Sequence, residues 1–266
     1  MISRIRHHLH LMTRKQAAPI ILGDEFRAPL AQLLRRMAPQ RVVNVAKRRY
    51  GSRHDGGYIM LDDFADITGV FSFGISNNVK WDVAIANKGL PIWQYDYTVD
   101  GPPVSHPNFE FHKVRIGHEE EDVTPTRSLS RLIDERPGGD IILKMDIEGS
   151  EWEVFAGIDP DRLKVFRQIL LEVHDFHKIT DPSWRERATR ALDNLSRHHA
   201  VYHVHGNNFP ALVHAGDITV TKALEVSYAR KDSYPFAPTT ETFPGPLDRP
   251  CNPWRRDTPL GRFTFR

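Results

Sequence analysis

Several things this chain has little of narrow its class. It holds one cysteine, Cys251, among 266 residues. An internal disulfide and a cysteine-based zinc site are therefore excluded, and a lone thiol suits a reducing, cytoplasmic setting. No run of 18 apolar residues is present, so no transmembrane helix is expected. Net charge is scarce too, since 36 Lys and Arg stand against 34 Asp and Glu. With no clustered basic and aromatic face, nucleic acid is not an expected partner. The phosphate-cradling G-x-x-x-x-G-K-[ST] is missing, which argues against a nucleotide triphosphatase. G-x-G-x-x-G is missing as well, its place being taken by GISNNV at 74–79, which argues against a dinucleotide whose pyrophosphate needs backbone clearance.

What is present is an ordinary globular composition, 40% hydrophobic and 26% charged, long enough to bury a core. Residues 1–15 carry four Arg or Lys and no acid. They read as a basic arm, with weak peripheral contact to an anionic membrane as the alternative role. EFRAPLAQLLRRM (25–37) has helical periodicity. VNVAKRRYGSRHDGGYIMLDDF (43–64) has strand-like ends around a glycine-punctuated turn. From residue 70 apolar runs alternate with helical segments. Strands are expected at 70–75, 91–96, 109–116, 140–147, 165–174, 200–206 and 222–230, and helices at 80–89, 126–136, 150–158 and 183–198. Such alternation predicts an α/β fold with a mostly parallel sheet and helices on both faces. Residues 234–266 hold seven of the 19 prolines and are expected to wrap the surface as extended chain. The expected divisions are 1–45, a basic arm and helix; 46–230, the main domain; and 231–266, the proline-rich wrap.

Ligands of an open parallel sheet bind at the carboxyl ends of its strands. The residues there are Gly74, Ile75 and Ser76; Asp96; Lys144, Asp146 and Glu148; Glu172 and His174; and His205, Asn207 and Asn208. A glycine after the first strand lets a ligand approach the backbone, and an acid after the second can accept both hydroxyls of a ribose. A nucleoside-like cofactor without phosphates fits this pair, and S-adenosylmethionine is the common one. Asp96 and Asp146 equally suit helix caps, Lys144 a structural ion pair, and Asn207 and Asn208 a turn.

KMDIEGSEWEVFAGI (144–158) followed by ILLEVHDF (169–176) resembles the FkbM-type methyltransferase family. RYGSRHDGGYIMLDDF (49–64), FSFGISNNVKWD (71–82), YDYT (95–98) and VYHVHGNNF (201–209) are similar to its methyltransferase-like branch. The resemblance covers roughly residues 45–230. It implies a class I (Rossmann-like) seven-stranded sheet, S-adenosylmethionine as donor, and O-methylation of a hydroxyl on a sugar, glycan or small natural product. It places Gly56, Gly57, Tyr58, Gly74, Ile75, Ser76, Asp96, Tyr97, Asp146 and Glu148 at the cofactor, with the Asp55–Tyr58 turn as a lid edge.

For the chemistry, His174 is the expected general base, and Asp146 orients it or the acceptor. Lys144 and His205 complete the catalytic set. The alternative is a divalent metal on Asp146, Glu172 and His174, with His205 or Asn207 in support, where mixed oxygen and nitrogen ligands suit magnesium, manganese or zinc. A nicotinamide-dependent oxidoreductase on a similar sheet is the rival from another class, disfavoured by the missing glycine fingerprint.

Overall fold

The computed structural model describes residues 17–119, 125–136 and 138–265; the basic stretch 1–15 lies outside them. Seven strands form the central sheet: β1 (Ile67–Phe73), β2 (Ile92–Tyr95), β3 (Phe109–His112), β4 (Asp140–Met145), β5 (Phe166–Val173), β6 (His199–Gly206) and β7 (Leu224–Arg230). Their order is β3-β2-β1-β4-β5-β7-β6. The pairs from β3 through β5 are parallel, while β7 runs antiparallel to both β5 and β6. The sheet is therefore mixed, with one reversed strand, and the order switches between β1 and β4.

The strands read as near-continuous apolar runs because both faces are covered. On one face Phe71, Phe73, Leu143, Met145, Ile169 and Leu171 pack with α1 (Arg27–Arg35), α3 (Leu129–Asp134), α4 (Glu151–Gly157) and α5 (Pro182–His198). On the other, Val70, Ile142 and Leu170 meet Trp81 and Ile85 of α2 (Lys80–Ala86) and a hairpin of Lys47–Gly51 against Gly57–Leu61. Gln168 of β5 exchanges hydrogen bonds with the backbone of Leu61 (2.9 and 3.2 Å), which pins that hairpin over the sheet.

Three sequence expectations change. The run 109–116 is not one strand. Val114 N–H folds back onto the His112 carbonyl, and Arg115–Gly117 leaves the sheet to pair with Thr126–Ser128. The helix expected from 126 starts at Leu129, where the Ser128 hydroxyl accepts the Arg131 N–H. A small sheet of Ile20–Leu22, Leu212–Ala215 and Ile218–Thr221 was not foreseen; its signal is the LVHA-GD-ITVT alternation around Gly216 and Asp217.

The proline-rich tail is packed against the body. Phe243 and Phe263 are buried in the same core as α1, and Arg35 donates to the Phe265 carbonyl (3.3 Å). Its one regular piece, Phe236–Pro238, pairs with Gln40–Val42 at the periphery, in keeping with the scarcity of N–H donors.

Candidate active site

The carboxyl ends of β1, β2, β4 and β5 face one edge of the sheet, joined by the start of the reversed β7. At the β1 end, Gly74 has φ +73°, and a Cβ there would lie 1.6 Å from the Asp146 carbonyl oxygen. Only glycine fits. Lys144 is buried and makes no carboxylate ion pair among the described residues. Its Nζ donates to the carbonyls of Gly74 (2.6 Å) and Phe73 (3.2 Å), which fixes the loop after β1 to β4. Its ammonium also stands 5.8 Å from the centre of the buried Tyr58 ring.

Asp96 is buried and accepts from the backbone N–H of Ser76 (2.8 Å) and of Thr98 (2.7 Å) and from the Thr98 hydroxyl (2.6 Å). Those bonds orient the carboxylate and leave acceptor capacity on Oδ2, which among the described residues takes the Ser76 bond alone. Ser76 itself has φ +45°. Ile75 is buried, and Tyr97 is half exposed beside Asp96. The 52–57 turn is clasped to this loop, because Asn78 Nδ2 donates to the Asp55 carbonyl (2.9 Å) and to Ser52 Oγ (3.1 Å). A Cβ on Gly56 would strike Asn78, and one on Gly57 the Ser52 carbonyl. Asp55 is exposed, but partial desolvation, with Glu225 and Asp146 nearby, holds its carboxyl above the usual carboxylate range.

His174 sits at the centre. Its Nε2 stands 3.8 Å from Asp146, 3.7 Å from Glu148 and 3.8 Å from Glu172, and its Nδ1 faces Glu151 at 3.3 Å. Glu151, the first residue of α4, is itself held by the N–H groups of Ile147 and Gly149. The Trp152 indole holds the His174 carbonyl (2.7 Å). Burial alone would lower His174, but Glu151 beside Nδ1 and the charges of Glu172 and Asp146 raise it to about 10. The carboxylates gathered around the ring favour its protonated form. Asp146 Oδ1 is buried and accepts no hydrogen bond; burial lifts its carboxyl to about 6 against the pull of Lys144 and His174. Glu148 is 87% exposed at the side chain and has φ +58°. Glu172 is buried, raised well above the usual carboxylate range by burial and by Asp146, and accepts from Asn207 Nδ2 (2.6 Å).

The profile of the methyltransferase FkbM domain matches residues 72–202. This stretch is a methyltransferase FkbM domain. No curated protein matches the chain.

The FkbM domain ends inside β6, yet the site does not. His205 is fully buried, with Nδ1 2.8 Å from Glu225 and Nε2 3.0 Å from both Asp257 oxygens. Both nitrogens are engaged, so the ring has none left for a substrate. Burial would lower its pKa, but the bonds to Asp257 and Glu225 raise it to about 10. Two residues earlier on the same strand face, His203 pairs with Asp248 (2.8 Å). Asn208 grips the tail through Asn252 N–H (2.6 Å) and the Asn252 carbonyl (3.1 Å), and His54 reaches the Pro250 carbonyl (2.9 Å). The tail therefore forms a wall beside the FkbM domain. Sequence reasoning missed His203, Glu225, Asp248 and Asp257. Glu225 had a signal: Leu-Glu-Val occurs at 171–173 and again at 224–226, and the two copies pair with Glu172 opposite Glu225.

Proposed function

We propose that this protein is an S-adenosylmethionine-dependent O-methyltransferase, acting in the cytoplasm on a hydroxyl of a sugar, glycan or small natural product. The observation that carries the reading is the Gly74–Asp96 pair beside the Asp146–His174 cluster at the strand-order switch, within an FkbM domain. We read the sheet as the Rossmann-like class I sheet, in support of which six strands share one direction. Residues 46–230 would be the catalytic domain, with 1–45 and 231–266 built onto it.

The residues fit the cofactor. The Gly74 backbone has no room for a side chain, the Asp96 carboxylate has an open lone pair for ribose hydroxyls, and Tyr97 offers an exposed ring beside it. S-adenosylmethionine supplies an electrophilic methyl carried on a sulfonium. The chain's part is to align the acceptor oxygen and assist loss of its proton. Asp146, Glu148 and Glu172 stand beside the cations Lys144 and His174 at this edge, a mixed field that suits a donor carrying both charges and a neutral acceptor. Because Asp146 and three other carboxylates surround His174, we assign proton loss to the Asp146–His174 pair and not to His174 alone. Lys144 positions the loop after β1, and His205 the tail.

The test is calorimetry with S-adenosylmethionine and S-adenosylhomocysteine. Wild type should bind both. Asp96→Ala should weaken binding by about 1.5–3 kcal/mol, the worth of hydrogen bonds made by a charged group. Undiminished affinity would remove Asp96 from the site, and no binding by wild type would end the reading.

A further inference from the structure

His174 Nε2 faces three carboxylate oxygens, from Asp146, Glu148 and Glu172, at 3.7–3.8 Å. These separations are too long for hydrogen bonds, and Asp146 Oδ1 accepts none from any group. They have the size of a coordination shell. A cation about 2.1 Å from each ligand atom leaves those atoms roughly 3.0–4.2 Å apart, from right-angled to opposite pairs. One ligand atom each from Asp146, Glu148 and His174 lie within 4.8 Å of one another, slightly wider than a filled shell.

The far side of the ring is arranged to match. Nδ1 faces Glu151 at 3.3 Å, and two backbone N–H groups hold Glu151. Nδ1 makes no hydrogen bond among the described residues, but a carboxylate within reach of the second nitrogen is how metal-bound histidines are oriented. The His205 cluster is a useful contrast. It too gathers carboxylates, with Cys251 nearby, but its atoms stand at 2.8–3.0 Å and satisfy one another.

We propose that Asp146, Glu148 and His174, with Glu172 beside them, hold a divalent first-row transition cation at the open end of the sheet. Two carboxylate oxygens and one imidazole with no sulfur suit manganese, iron or zinc. The site stands on these side chains alone. Only its purpose, to bind the acceptor oxygen and acidify its hydroxyl, rests on the methyl-transfer reading.

The experiment strips the full chain with a chelator, removes the chelator, and titrates Mn²⁺, counting free ion by electron paramagnetic resonance. One Mn²⁺ should bind per chain. Asp146→Asn, nearly isosteric, and His174→Ala should each weaken binding at least 10-fold, with circular dichroism confirming that both variants are folded. Glu151→Gln should weaken it by about 10-fold, as loss of an orienting partner does. Asp96→Ala should bind Mn²⁺ normally while losing S-adenosylmethionine, so failure of the methyl-transfer reading would not be mistaken for failure of this one. Free Mn²⁺ unchanged by wild-type protein up to millimolar concentration would overturn the proposal. So would tight binding that survives Asp146→Asn and His174→Ala and disappears in Glu225→Gln.

Discussion

Two histidines lie at the same edge of the sheet, on either side of β7, and do different work. His174 ends β5 in an open ring of carboxylates, none of them at close hydrogen-bonding distance on the Nε2 side. His205 ends β6 in a closed sandwich of Glu225 and Asp257. The two share residue type, acidic surroundings and a pKa raised to about 10. Spacing separates them: unfilled spacing marks a place for a ligand, and filled spacing marks a joint that fastens the tail to the sheet.

The sharpest test of that contrast is His205→Ala. Removing one partner of a buried charged network costs about 3–5 kcal/mol, and for a chain of this size the melting temperature should fall on the order of 10 °C. Scanning calorimetry measures this, and an unchanged melting point would dissolve the distinction. The mirror experiment is His174→Ala, expected to lower methyl transfer about 100-fold while leaving the tail contacts of His205 in place. If activity held and stability collapsed, the roles would be reversed.

A third test uses pH. His205 is raised above the ordinary value near 6.5, so its contribution to stability is fully present below about that pH and is lost as pH rises through about 10. Melting temperature should therefore decline from pH 7 to pH 10, and His205→Ala should decline less steeply. His174 acts in the same direction, so a residual slope in that variant is expected. Equal slopes in the two proteins would show that the buried pair is not ionised as described. The smallest effect should come from Trp254→Ala. This tail side chain is 71% exposed, and its loss should change stability by less than about 0.5 kcal/mol. A larger drop would mean that Trp254 packs against the body more closely than its exposure shows.

Much of the sheet was legible because its strands are apolar runs of the right length between glycines and helical segments. The strand-end rule found Gly74, Asp96, Asp146 and His174 for the same reason: each follows an apolar run directly. It failed for Glu225, which sits at the start of a strand. Only the reversal of β7 carries it to the shared edge, and no periodicity reports a strand's direction. Asp248 and Asp257 were invisible for another reason. They lie in irregular chain, and their partners His203 and His205 are 45 and 52 residues away. The carboxylates around His174 were likewise not legible, because sequence supplies a residue type while its electrostatic surroundings depend on what the fold gathers around it.

Gly74 has a consequence of another kind. The Asp146 carbonyl lies where its side chain would begin, and Lys144 ties the carbonyl of Gly74 itself to β4. The loop that would receive the methyl donor and the loop that would receive its target are thus laid back to back with no slack. A single methyl group at position 74 would act as a shim, tilting both loops at once. Distance between donor and acceptor is then a tolerance set by backbone contact, which an exchange of pocket side chains to suit a new acceptor would leave untouched.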